Sequence, residues 1–227
     1  MGEIRVTIDY KELDYRCNEA FKALRTNILF CGDDIKVISL TSCTPNEGKS
    51  SVAFNLAKSF SEIDKKVIFI DADLRKSVLM GRYKVGVVKG GLSHYLSGQR
   101  KLDEVICQSN IDNLDVIFCG SYSPNPAELL EHERFGNMIK RLREEYDYVI
   151  LDTPPLGSVI DSAIVAKESD GAIIVVEANA ISYKFAQNVK EQLTKTGSRI
   201  LGVILNKVPL ENHKYYGKYY AKYYGKY

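Results

Sequence analysis

Short apolar runs alternate along this chain with longer stretches whose apolar residues recur at helical spacing. The runs at 37–40, 67–70, 114–118, 148–151, 172–176 and 200–205 are rich in Val, Ile and Leu and read as buried strands. Between and around them, residues 15–30, 51–63, 92–96, 129–145, 162–167 and 184–195 carry helical patterns. In the first of these, Ala20, Phe21, Leu24, Ile28 and Leu29 form the apolar face. Near-continuous apolar strands alternating with helices predict an α/β fold, a mostly parallel sheet with helices on both faces. Right-handed crossovers in such a fold bring the functional loops to the carboxyl ends of the strands. Residues 1–14 are polar and predict no element, and residues 75–91 read as an irregular, basic, mobile loop.

The loop after the first apolar run changes this outline into a chemical proposal. It reads SCTPNEGKSS over residues 42–51 and opens directly into a helical pattern. Gly48, Lys49 and Ser50 have the form that ends a phosphate-binding loop, with Cys43 in place of the usual first glycine. A loop entering a helix aims free backbone N–H groups at an anion, and the helix dipole adds favourable potential. The candidate nucleotide cradle is Asn46, Glu47, Gly48, Lys49, Ser50 and Ser51. Within it Gly48 allows close backbone approach, Lys49 reaches the β- and γ-phosphates, and Ser50 supplies a hydroxyl to Mg²⁺.

Two other strand ends carry carboxylates. VIFIDADLRK places Asp71 and Asp73 just past the 67–70 run, and YVILDTPP closes the 148–151 run with Asp152. An apolar run closed by one Asp has the form of a Mg²⁺-holding strand end. Singly, such an Asp is often a turn former; three beside a phosphate loop point to a site. At the last strand end, the amide of Asn206 can pair with a purine edge or, equally, serve as a turn residue. GSYSPNPAELL, residues 120–130, is turn chemistry leading into a helix start and can equally be a contact loop. On the first helix Glu19, Lys22 and Arg25 fall three apart and share one charged stripe, which by composition alone reads as a solvated face.

Composition narrows the setting. The chain has 227 residues, with 45% hydrophobic and 26% charged positions, as in an ordinary globular domain. Its five cysteines lack any CxxC or Cys/His cluster, which points to reduced thiols and a cytoplasmic location. The start carries no signal-peptide pattern, and no apolar run is long enough to span a bilayer. The net charge of +2 is unevenly placed, because Lys214, Lys218, Lys222 and Lys226 lie beyond the last acid. Without those four the chain holds 27 basic against 29 acidic residues, so a nucleic-acid surface is not expected.

The carboxyl end is a different object from the rest. KYY followed by a small residue repeats, and seven of the fifteen tyrosines stand there: Tyr215, Tyr216, Tyr219, Tyr220, Tyr223, Tyr224 and Tyr227. With almost nothing aliphatic to pack, this segment is expected to be a disordered tyrosine-rich tail. A solubilising tail or adhesion to an anionic membrane explains the lysines, whereas tyrosines serving as phosphorylation substrates explains the paired tyrosines as well. The chain therefore divides into a phosphate-loop domain, 1–210, and a tyrosine- and lysine-rich tail, 211–227, that can serve as a phosphorylation substrate.

Taken together, EAFKALRTNI, TPNEGKSS, FIDADLRK, GLSHYLSG, PNPAELL, YDYVILDTPP, DGAIIVVEAN, GVILNKV and the tail resemble the bacterial tyrosine kinases, specifically the separate cytoplasmic kinase subunit of capsule and exopolysaccharide systems. The resemblance covers nearly the whole chain. It implies a P-loop NTPase-like fold, ATP and Mg²⁺ as cofactors, and autophosphorylation of the tail between neighbouring subunits. Position by position, it makes Lys49 and Ser50 phosphate and Mg²⁺ ligands and Asp71 the base that takes the tyrosine proton. Asp73 stands beside that base, and Asp71 and Asp152 are the carboxylates on the metal. It also implies a homo-oligomer, in the family an octameric ring, assembled through Glu19, Lys22 and Arg25. Here Lys22 stands where the family has an arginine, and it lacks the bidentate fork. Further implications are a separate membrane-spanning activator that recruits the chain to the inner face of the plasma membrane, and an opposing tyrosine phosphatase. The alternative is a partition-type P-loop ATPase switch, whose relatives carry a lysine where this chain has Thr44.

Overall fold

Strands that are apolar on both sides must be covered on both sides, and the apolar runs are used in that way. The structure, a computed structural model, describes residues 4–209. In chain order the strands are β1 (Ile4–Arg5), β2 (Val37–Ser42), β3 (Val67–Asp71), β4 (Cys107–Gln108), β5 (Leu114–Ile117), β6 (Tyr148–Asp152), β7 (Gly171–Glu177) and β8 (Ile200–Asn206). The helices are α1 (Tyr15–Leu29), α2 (Lys49–Ser61), α3 (Leu79–Arg82), α4 (Leu92–Leu96), α5 (Pro126–Glu131), α6 (Glu133–Glu145), α7 (Asp161–Lys167) and α8 (Tyr183–Thr194).

All eight strands form one sheet, in the order β1-β4-β5-β3-β6-β2-β7-β8, and only the β4–β5 pair is antiparallel. One face packs against α1 and α2, where Phe54 meets Phe69 edge-on at 5.8 Å and Phe60 stacks on Tyr148 at 4.0 Å. The opposite face is covered by α4, α5 and α6 through Leu96, Leu130, Phe135 and Leu142. Ala163 and Ala166 of α7 and Val189 and Leu193 of α8 close a third apolar cluster. This is the P-loop NTPase-like sheet, helices on both faces, that the alternating runs predict.

Four local expectations change. The polar amino-terminal stretch contributes β1, and Ile8 is buried, with its N–H held by Asn110 Oδ1 at 2.7 Å. The stretch read as a loop over 75–91 contains α3, whose Leu79 is buried. The single helix expected over 129–145 is two helices: it begins at Pro126 and breaks at His132, which turns extended (ψ 142°) and accepts Arg134 N–H through Nδ1. Lastly, β8 reads as a buried run but lies at the sheet edge, leaving Val203 and Leu205 exposed. Of the apolar face expected on α1, Ile28 is buried and Phe21 and Leu24 are half-buried, while Ala20 and Leu29 are exposed.

Candidate active site

The site assembles where three neighbouring parallel strands end. Chain leaving β2 forms the phosphate loop and enters α2, while β6 and β3 lie beside β2 in that order. Asp152 and Asp71 close their strands and are register partners, so both carboxylates stand at one sheet edge beneath the loop. Burial of a lysine against acids is costly unless they pair. Lys49, 7% exposed, donates from Nζ to Asp152 Oδ1 and approaches Ser50 Oγ at 3.4 Å. The phosphate-loop cation and the strand-end carboxylates therefore face one another.

Loop conformation is set by two left-handed residues, Asn46 (φ 69°) and Gly48 (φ 88°). At Gly48 a side chain is excluded twice: φ disfavours it, and a Cβ would lie 2.2 Å from Asn206 Nδ2. As the chain turns into α2, the backbone N–H groups of residues 46 to 51 find no acceptor among the described residues. Unpaired donors converging at a helix start, next to a lysine, suit a polyphosphate. The donor set thus fits a nucleotide. The oxygens of Ser50, Asp71 and Asp152, all hard ligands, fit Mg²⁺.

Asp71 is the most perturbed group. Burial first, then the charge of Asp152, push its carboxyl up to about 7, against a hydrogen bond from Ser77 Oγ that favours the ionised form. A carboxylate poised near neutrality suits proton transfer. Asp73 lies beyond the end of β3 and does not extend the strand. Instead its Oδ1 accepts the N–H groups of Arg75 and Lys76 at 3.2 and 2.9 Å, which turns the chain away from the sheet.

Two candidate ligands have other hydrogen-bond partners. The Glu47 side chain, 1% exposed, braces the loop by accepting Thr44 N–H at 2.7 Å and Glu177 N–H at 3.2 Å, which leaves its own N–H toward the anion site. Asn206 donates from Nδ2 to Glu47 O at 2.8 Å, so its amide clamps the loop. The charged stripe on α1 is present, but Arg25 turns inward to Ser59 O while Lys22 pairs with Glu19 at 2.7 Å. The seven tail tyrosines lie outside the described residues.

Several partners were not anticipated. Arg75 grips the buried Asp161 with two bonds of 2.8 and 2.9 Å, tying the loop after β3 to the start of α7. Lys207 bridges Asn46 O and Glu177 Oε2 at 2.6 and 2.8 Å. Cys119, beside the acids, is pushed up to about 12 by burial and then by the charge of Asp71, so its thiol stays protonated. All five cysteines are free thiols, as their spacing predicts. Spacing gives no signal for these long-range pairings; only the basic character of the 75–91 stretch hints at cations near the site.

This geometry places the chain in the P-loop nucleotide-binding class. The AAA domain family matches residues 35–205. Tyrosine-protein kinase CpsD of Streptococcus pneumoniae serotype 4 is 43% identical over 210 residues, covering 92% of each chain. The chimerical protein CapA2B2 superposes with a TM-score of 0.83 at 30% identity, over 91% of this chain and 94% of that one. The kinase domain of the Escherichia coli tyrosine kinase ETK does so with a TM-score of 0.81 at 35% identity, over 84% and 75%. The chain belongs to the bacterial tyrosine kinases of the P-loop type, and is a protein-tyrosine kinase. Among the described residues no helix is long and apolar enough to cross a membrane.

Proposed function

We propose that this kinase moves the γ-phosphoryl group of ATP to tyrosine hydroxyls in the carboxyl-terminal segment of a neighbouring copy, residues 215 to 227, and thereby regulates capsular or exopolysaccharide synthesis and export. The observation that carries this reading is the facing set of Lys49, Asp152 and Asp71 beneath a loop of unpaired amides. The amides of residues 46–51 receive the phosphates. Lys49, exchanging Asp152 for phosphate oxygens, neutralises charge on the transferred group. Asp152 and Ser50, with Asp71, hold Mg²⁺, which when bound offsets the charge of the polyphosphate. Asp71 takes the proton from the attacking tyrosine hydroxyl, and Asp73 shapes the turn beside it.

The name CpsD, in a relative of nearly equal length, supports the link to capsule production. CapA2B2, a chimera by its own title, supports the idea of a separate activating partner. On this reading a membrane-spanning activator draws the kinase to the inner face of the plasma membrane. Copies assemble through α1, with an octameric ring as the family precedent, and an opposing tyrosine phosphatase resets the tail. All three residues of the triplet bond within their own chain, Lys22 to Glu19 and Arg25 to Ser59 O, so assembly through α1 exchanges these bonds for contacts between copies.

Incubation with ATP, Mg²⁺ and the cytosolic end of the activator, followed by phosphotyrosine mass spectrometry, tests the proposal. Phosphate on residues 215 to 227 is expected. ATP hydrolysis with every one of those tyrosines bare would remove the kinase reading of the tail.

A further inference from the structure

Charge around the phosphate loop is unbalanced. One lysine, Lys49, faces two carboxylates, Asp71 and Asp152, and a nucleotide polyphosphate brings more negative charge than one divalent ion cancels. A second cation is held at the same helix start. Arg82 Nη1 donates to Ser51 Oγ at 2.5 Å, reaching across from the stretch between β3 and α4. Among the described residues no carboxylate pairs with this guanidinium, so most of its donors remain available.

Its position is fixed by packing. Leu79 and Tyr83, on either side of the α3 turn, are buried, and the Tyr83 ring lies 4.3 Å from the ring of Phe54 on α2. Phe54 stands three residues after Ser51, on the same side of α2. The Tyr83 carbonyl also accepts Asp9 N–H at 2.9 Å. Arg82 is thereby carried to the end of α2 where the unpaired amides converge. Ser50 lies toward Lys49 and Asp152, and Ser51 is about 100° further round the helix.

We propose that Arg82 is a phosphate-binding residue supplied in cis, contacting the phosphates nearer the nucleoside and setting affinity for both ADP and ATP. The inference rests on the nucleotide-binding reading of the loop, but not on tyrosine as acceptor. Isothermal titration of the full chain with Mg²⁺–ADP, alongside Arg82→Ala and Arg82→Lys, tests it. Arg82→Ala is expected to weaken ADP roughly ten- to a hundredfold, the range for a lost charge-assisted bond. Arg82→Lys, which keeps the charge without the fork, should recover part of that loss. In turnover, KM for ATP should rise with Arg82→Ala while kcat at saturation holds, and Tm without nucleotide should not move. Unchanged ADP affinity in Arg82→Ala overturns the proposal. So does a loss that comes with a lowered Tm and is not relieved by lysine, since Arg82 would then only tie α3 to α2. Failure of the wild-type chain to bind ADP would instead overturn the nucleotide reading.

Discussion

Asp71 joins stability to chemistry. Its folded pKa, about 7, lies above the ordinary carboxylate value, so the folded chain holds this proton more tightly than the unfolded chain does. The contribution to stability is complete in acid and is lost as pH rises through about 7. Asp71→Asn should therefore raise Tm of the metal-free protein at pH 8 by a few degrees, about 2–4 °C per kcal/mol recovered, and by less at pH 5. The same change should abolish tyrosine phosphorylation; a calorimetric scan and a kinase assay check the two halves. That Gly48 and Lys49 stand at a strand–helix junction and Asp152 at a strand end was legible from residue type and spacing, because an apolar run leads into each. The side chains of Glu47 and Asn206 also brace and clamp the loop, a role that local spacing does not indicate. Their partners lie 130 and 159 residues away in sequence, beyond anything local pattern reports. Glu47→Ala leaves the Thr44 and Glu177 N–H groups without that acceptor, so it should weaken ADP severalfold, measurable by titration.

At the scale of elements, the central strands were predicted within a residue or two, because runs apolar on both faces permit little else. Misreadings fell where tertiary contacts decide. β1 is two residues long and exists by pairing with β4, and α3 is a single turn held by Leu79 and Tyr83. The break between α5 and α6 depends on the backbone of His132, which helical periodicity cannot reveal. Placement of β2, and with it the phosphate loop, depends on Asp170, whose Oδ2 accepts the N–H groups of Lys36 and Val37 at 2.9 and 2.8 Å. Burial works to raise this carboxyl, but Arg143 and those two N–H groups hold it below its ordinary value. Stability from a lowered carboxylate is present above the unfolded pKa and is lost as pH falls through the folded one. Asp170→Ala should cost about 2–3 kcal/mol in urea unfolding at pH 7, and the gap from wild type should narrow in acid.

Across the whole molecule, β8 ends beside the phosphate loop, with Asn206 and Lys207 bonded to the carbonyls of Glu47 and Asn46. The chain that continues into the tyrosine repeats therefore starts out at the active-site edge. This relation was foreseeable from right-handed crossovers, since parallel strands all end on one side. What residue pattern could not supply was the order of the strands, which puts β8 at the edge and β3 and β6 beside β2. Transfer between subunits requires that the catalytic edge of one copy act on the tail of another. Mixing separates the two roles: a chain lacking residues 213–227 has the site without the tail, and full-length Lys49→Met has the tail without a working site. With ATP, Mg²⁺ and the activator fragment, phosphotyrosine should accumulate on the Lys49→Met chain at residues 215 to 227, and on neither protein's tail when Lys49→Met is incubated alone. A bare Lys49→Met tail, while the truncated chain still hydrolyses ATP, would contradict transfer between subunits.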